Sequence, residues 1–179
     1  MTENLNIGTA ILANQEQTNN TVIEKYCYDD NETNCNIYGG LYQWDECMNY
    51  GASSNSNPSG RQGICPEGWH VPSDAEWIVL TTYLGGESVA GGQMKETGTL
   101  HWASPNGNAT NTSGFTGLPG GENREFMGFV DLNYYSHFWS ATEINSTHAW
   151  HLGLAYSVGA VSHWYEVKTT AFSVRCLKD

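Results

Sequence analysis

Hydrophobic positions along the chain fall into two regimes. In the first, Trp77, Leu80 and Leu84 recur at the three- and four-residue spacing of one helix face. Pro72 and Ser73-Asp74-Ala75-Glu76 precede them, a Ser-x-x-Glu capping box that sets two carboxylates at the positive end of the helix dipole. Gly85-Gly86 supplies the stop. The spacing predicts a helix starting at Ser73, and a second, weaker helical turn is expected through Gln93 to Glu96. In the second regime the period is two. Trp150, Leu152 and Leu154 alternate with His151 and Gly153, and a turn follows through Ser157-Val158-Gly159-Ala160. Val161 opens another run, and Phe172, Val174 and Cys176 alternate with Ser173 and Arg175. A strand is also expected near Ile7 to Leu12. Residues 52–60 and 104–121 are loops by composition, the second interrupted by Phe115 and Leu118. With no internal repeat, the expected class is α+β: one or two helices against a small, irregular antiparallel sheet with long loops, in one domain over residues 1–179.

Composition narrows the function classes. The 179 residues are 39% hydrophobic, but seven Trp and ten Tyr bring large buried areas, which argues against disorder. A net charge of −12 repels phosphate backbones and anionic lipid, so nucleic acid is not an expected partner. No stretch has the apolar length of a membrane span, so membrane insertion by this domain is not expected either. No charged-then-apolar leader opens the chain, and Met1-Thr2-Glu3-Asn4-Leu5 has the look of an excised or cytosolic start.

Five cysteines carry the next constraint. Cys27 and Cys35 flank seven residues rich in Asp and Asn, a small disulfide loop, and Cys65 with Cys176 is the natural long-range pair. Cys47 is left over. Without CxxC spacing, disulfides are favoured over zinc, which places the chain in an extracellular or periplasmic setting.

Candidate chemistry concentrates between Tyr134 and Tyr165. Phe138, Trp139 and Trp150 sit on apolar phases and are expected in the core. His163, Trp164 and Tyr165 are consecutive, so they must point to both faces of a strand and at least one meets solvent. Glu166 beside them could orient a cationic partner or merely solubilise. His148 and His151 have a helical metal-ligand spacing, but on a strand they face opposite ways and no third ligand stands nearby. Asp131, Asn133, Glu143 and Asn145 offer oxygens for calcium without a recognisable loop pattern. No cofactor or metal is therefore assigned. Gly-x-Ser-x-Gly and His-Glu-x-x-His are both absent. Cys65 with His70 close by could act as a nucleophile, but the disulfide reading outweighs it. No catalytic residue is assigned.

Five segments together resemble one family. They are Tyr38-Gly39-Gly40-Leu41-Tyr42-Gln43-Trp44-Asp45-Glu46, the run from Gly63 through Cys65-Pro66-Glu67-Gly68-Trp69-His70-Val71-Pro72 to Trp77, Gly114-Phe115-Thr116-Gly117-Leu118-Pro119-Gly120-Gly121, Phe138-Trp139-Ser140-Ala141-Thr142-Glu143, and Phe172-Ser173-Val174-Arg175-Cys176. In this order they resemble the Fibrobacter succinogenes major paralogous domain family, and the likeness spans essentially the whole chain. The resemblance implies a C-type lectin-like fold in a secreted or surface-anchored bacterial protein. Met1-Thr2-Glu3-Asn4-Leu5 looks like the interior of the family's opening Trp-x-x-Glu-Asn-Leu motif, with a first strand and export signal belonging to a longer parent chain.

Lectin-like proteins of this type are also targets of diversity-generating retroelements. By that resemblance residues 142–168 are a variable ligand-binding segment. His148, His151, Tyr156, Ser157, Ser162, His163, Trp164, Tyr165 and Glu166 would contact the ligand, held by a fixed frame that includes Ala149-Trp150, Leu154, Gly159 and Val161. The chain departs from the family at Ala171, where Gly is usual, and at Cys47, where Ala or Met is common. The expected function is an adhesin-like binding module recognising a protein or glycan on another cell or phage surface. The alternatives are an extracellular enzyme or accessory domain acting on polysaccharide, and a structural domain of a surface or pilus protein.

Overall fold

The computed structural model describes residues 1–125 and 127–179. Its first half runs β1 (Thr9–Ile11), β2 (Glu24–Tyr26), α1 (Glu32–Tyr38), β3 (Tyr42–Gln43), α2 (Trp44–Cys47), β4 (Trp69–His70), α3 (Asp74–Tyr83) and α4 (Glu87–Met94). Seven strands follow: β5 (Glu122–Arg124), β6 (Gly128–Val130), β7 (Tyr135–Glu143), β8 (His148–Ala155), β9 (Val161–Val167), β10 (Ala171–Phe172) and β11 (Leu177–Lys178). The class is α+β, as the periodicity indicates.

Helix α3 begins where its local chemistry dictates. Ser73 Oγ accepts from the Glu76 backbone N–H at 3.2 Å, and Glu76 Oε2 accepts in return from the Ser73 N–H at 2.9 Å. Both ends of the capping box are thus closed, a motif worth about 1 kcal/mol. Helix α4 differs from expectation, because it starts at Glu87 and ends at Met94 instead of running through Gln93 to Glu96. Gly91 and Gly92 hide it from a propensity reading, since glycine inside a helix is costly. They are there for close approach. A Cβ on Gly91 would lie 2.5 Å from Ala160 O, and one on Gly92 would collide with Asn108 O.

Among the described residues four sheets form. The antiparallel β7-β8-β9 sheet has the longest strands; a four-stranded sheet has the order β3-β10-β5-β6, and β1-β2 and β11-β4 are two-stranded. The expected strand near Ile7 to Leu12 is β1, which pairs in parallel with β2. The expected C-terminal strand is shorter than the alternation implies, ending at Phe172. Ser173 and Val174 still run extended between neighbours: Ser173 N donates to His137 O, Trp139 N to Ser173 O, and Leu5 N to Val174 O.

The central sheet is buried on both faces along β7 and β8. Phe138, Leu152 and Leu154 join Trp77, Met94, Trp102 and Val161 in the core beneath the helices. Trp139, Ala141 and Ala149 join Tyr42, Trp44, Phe172, Val174 and both cysteines of the long-range bridge in the core on the other side. Each buried indole N–H is satisfied by a carbonyl: Trp44 to Ser140, Trp77 to Trp139, Trp102 to Gly117 and Trp139 to Tyr42. Cys27–Cys35 and Cys65–Cys176 are bonded. In the chain-entropy account, the second bridge, with a sequence separation of 111, stabilises by roughly 4 to 5 kcal/mol. Cys47 is free and buried, and burial pushes its thiol pKa well up, so it packs as an apolar group.

Candidate functional site

The nine predicted contact residues do not form one patch. Strand pairing splits them, because successive side chains on a strand point to opposite faces. On the helix-facing side, Trp150 lies opposite Tyr165, Leu152 opposite His163 and His148 opposite Val167. Trp150 is half-exposed instead of core, with His163 and Tyr165 each 5.6 Å away between ring centroids. His148 stands edge-on to Tyr165 at 5.8 Å. The structure therefore gathers His148, Trp150, His163 and Tyr165 into one aromatic group. On the opposite side, Ser162 and Trp164 are exposed and Glu166 is half-buried. Trp164 is 61% exposed and Tyr165 37%, and their rings stack nearly parallel around the strand edge, 5.5 Å apart.

Two of the nine are already engaged. His151 is only 5% exposed: it lies on the second buried face, with His137 4.9 Å and Phe172 4.8 Å away between centroids. This corrects its placement at a ligand-facing surface. The period-two reading put it opposite an apolar face and so toward solvent, but that opposite face is a second core. Burial lowers its pKa to about 4, and the neighbouring His163 and Arg124 charges act in the same direction. His163 has the reverse environment. Its Nε2 lies 2.5 Å from Asp74 Oδ1, off the line of an aligned hydrogen bond, and Nδ1 is 3.9 Å from Glu87 Oε1. Asp74 raises the His163 pKa, outweighing a partial burial that works against it. The ring thus ties β9 to the N-terminal turn of α3.

Tyr156 and Ser157 stand apart at the β8–β9 turn. Tyr156 is half-buried, edge-on to Tyr134 at 5.0 Å, and Ser157 is exposed. The turn is held from below by Lys95, which is fully buried. Its Nζ donates to Val158 O at 2.7 Å, Ala155 O at 2.8 Å and Gly107 O at 2.9 Å. Three carbonyls satisfy all three ammonium protons without a counter-ion, and burial lowers the Lys95 pKa to about 8. Gly107 N donates to Tyr156 O and Gly92 N to Gly159 O, so the 104–111 loop and α4 brace the same turn. Lys95 and Asp74 carry no motif beyond the helix context, and sequence reasoning did not find their roles.

Arg124 is the other group missed. Its Nε donates to Glu122 Oε1 at 2.8 Å. Burial opposes its charge, but Glu122, Glu166 and Asp131 together raise its pKa. Glu122 is fully enclosed, and burial raises its carboxyl to about 7 against the pull of Arg124. Arg124 also lines a recess of about 420 Å³ with Tyr26, Gln43, Asn123 and Thr169. The recess is walled by amides, the Tyr26 and Thr169 hydroxyls, one guanidinium and the carboxylates of Glu16 and Glu125, groups that hydrogen-bond polar ligands.

The metal and nucleophile candidates are spent elsewhere. Cys65 is in its disulfide, and His70 is held between Glu76 Oε1 at 2.9 Å and Asp179 Oδ1 at 2.6 Å. Burial disfavours the His70 charge, but the two carboxylates outweigh it and raise the pKa. Asp131 and Asn133 precede β7, whereas Glu143 and Asn145 lie at its far end, so the four oxygens do not converge. Asn133 donates to Tyr38 Oη and His101 O, and Glu143 accepts from Lys168 at 2.6 Å. Among the described residues no three His, Cys, Asp or Glu side chains are grouped to hold a metal ion.

Fold and surface together define a disulfide-framed α+β module whose last long strand presents aromatic side chains at the edge of a sheet. The chain belongs to the Fibrobacter succinogenes major domain family, whose family model matches residues 1–178. No curated protein and no solved structure matches it. Two disulfides are consistent with an oxidising, extracellular setting. Among the described residues no helix is long and apolar enough to cross a membrane.

Proposed function

We propose that this chain is a secreted or surface-displayed ligand-binding module of C-type lectin-like type, with β9 and the β8–β9 turn as its recognition surface. The observation that carries the reading is the exposure of Trp164 and Tyr165 on a strand whose turn is braced by a buried lysine. Exposed Trp and Tyr give large contact area at low entropic cost, and Ser157 and Ser162 beside them supply adaptable hydrogen bonds. The partner is a protein or glycan on another cell or phage surface, engaged without a metal or other cofactor. The module binds and does not catalyse. Retroelement diversification would fit the same geometry, since the exposed side chains of Ser162, Trp164 and Tyr165 lie outside the core. An adenine-rich near-copy of the gene's 3′ end beside a reverse transcriptase is the observation that supports it.

The test is to screen the intact chain on glycan arrays and on fixed bacterial cells, beside a Trp164→Ala, Tyr165→Ala double variant. Wild-type binding reduced at least roughly tenfold in the variant, with an unchanged melting profile, is the expected result. Undiminished binding by the variant would move the site elsewhere. Products released from a polysaccharide would favour the enzyme alternative, and no binding by the wild type would favour the structural domain.

A further inference from the structure

Strand β9 is the outer strand of the β7-β8-β9 sheet. Its hydrogen-bond parity can be read from the ladder. Lys168 N donates to Thr147 O at 2.9 Å, and the antiparallel alternation then points the backbone groups of Glu166, Trp164 and Ser162 inward to β8. The N–H and C=O groups of Val161, His163, Tyr165 and Val167 consequently point outward. Val167 N is satisfied by the carboxylate of Glu166 at 3.0 Å, and Val167 O accepts from Thr170 N. Among the described residues the outward backbone groups of His163 and Tyr165 have no hydrogen-bond partner.

Edges of this kind are normally blunted with lysine, proline or a bulge. β9 has none of these in the sequence Val-Ser-His-Trp-Tyr-Glu-Val, where Glu166 and His163 are the ionisable side chains besides Tyr165. About Trp164 that sequence has an aromatic ring on either side and valine at both ends. We propose that β9 pairs with β9 of a second copy of this chain, antiparallel about a two-fold axis at Trp164, joining two three-stranded sheets into one of six strands. In this register His163 of each copy exchanges backbone bonds with Tyr165 of the other, and Val161 lies opposite Val167, whose own backbone groups are already engaged. All four are the outward-pointing residues, so parity and symmetry agree. The close, non-bonded pairs are Trp164 with Trp164 and Ser162 with Glu166. No like charges oppose one another, and aromatic cross-strand pairs replace the Trp164–Tyr165 stack. The pairing is made by the backbone edge of β9, but it also brings the two Trp164 rings together at the axis, so it draws on a side chain that the binding reading uses. If both hold, two recognition surfaces lie side by side.

Sedimentation velocity of the intact chain from low to high micromolar concentration tests the proposal. The expected result is a concentration-dependent species of twice 19.7 kDa that strengthens with added salt, because each copy carries a charge of −12. Ser162 is exposed, so the fold tolerates charge there. Ser162→Glu sets carboxylates opposite Glu166 twice per interface and should weaken the dimer about tenfold, whereas Ser162→Lys should strengthen it by a similar factor. Amide exchange at His163 and Tyr165 should slow only where the dimer forms. A single 19.7 kDa species throughout would overturn the proposal. So would a dimer that responds identically to both Ser162 variants. Protection of these amides by an added extended peptide, in a chain that stays monomeric, would assign the edge to a foreign strand instead.

Discussion

Strands β8 and β9 lie side by side, carry the same mixture of Trp, His and small residues, and are joined by one short turn. Their fates differ. β8 is the middle strand, with helices packed on one face and the Trp139–Phe172 core on the other, so even His151 and Gly153 are enclosed. β9 is an edge strand, and three of its seven residues are exposed. The histidines record the contrast. His151 in β8 has an apolar surround that favours its neutral form, whereas His163 in β9 faces Asp74 and Glu87, which favour its charged form. One residue type is thus pushed in opposite directions on adjacent strands, and position in the sheet is what separates them.

The sharpest break of this comparison is a truncation on each strand. Leu152→Ala in β8 removes a side chain from the core it shares with Phe138 and Trp77 and should cost roughly 2 to 5 kcal/mol in chemical denaturation. A much smaller loss would mean that the two-sided burial of β8 is not tight.

The next effect is in pH. The lowered pKa of His151 means that the unfolded chain takes up this proton near pH 6.5 and the folded chain only near 4. Its share of stability is therefore lost as pH falls through that window, by about 3 kcal/mol. His137, also lowered by burial, adds to the same acid limb. His163 has the reverse sign: its raised pKa gives stability that is complete below 6.5 and fades as pH rises through the folded value. His70 acts in the same sense. Thermal melts from pH 4 to 9 should therefore flatten on the acid side in His151→Gln and on the neutral-to-basic side in His163→Gln. Identical changes in both variants would erase the distinction between the strands. The smallest expected effect is Trp164→Ala, within about 0.5 kcal/mol by the same denaturation assay, because its ring is mostly in water.

Much of this was legible in the chain. The capped start of α3 rests on neighbours three residues apart, and the core role of Phe138 and Trp139 followed from local pattern. Alternation required at least one of His163, Trp164 and Tyr165 to meet solvent, and the two disulfide pairs were read from the placement of the cysteines. Trp150 and His151 did not. Alternation shows that two residues face opposite ways, but it does not show what covers each face, and here Trp150 received the open end of a face and His151 the second core. α4 was misplaced because its glycines serve contacts with Ala160 and Asn108 that lie far away in sequence.

The sequence by itself determined what depends on near neighbours: the helix cap, the two-residue period, the turn after β8 and the charge balance. Tertiary structure alone decided what depends on distant partners. It set Lys95 beneath the turn, Asp74 against His163 and Arg124 beside Glu122 and Glu166, and it left β9 at the edge. The reason is physical. A residue's intrinsic preference is settled within a few bonds, whereas its burial, its charge state and the partner of its backbone are set by chain segments that only folding brings near.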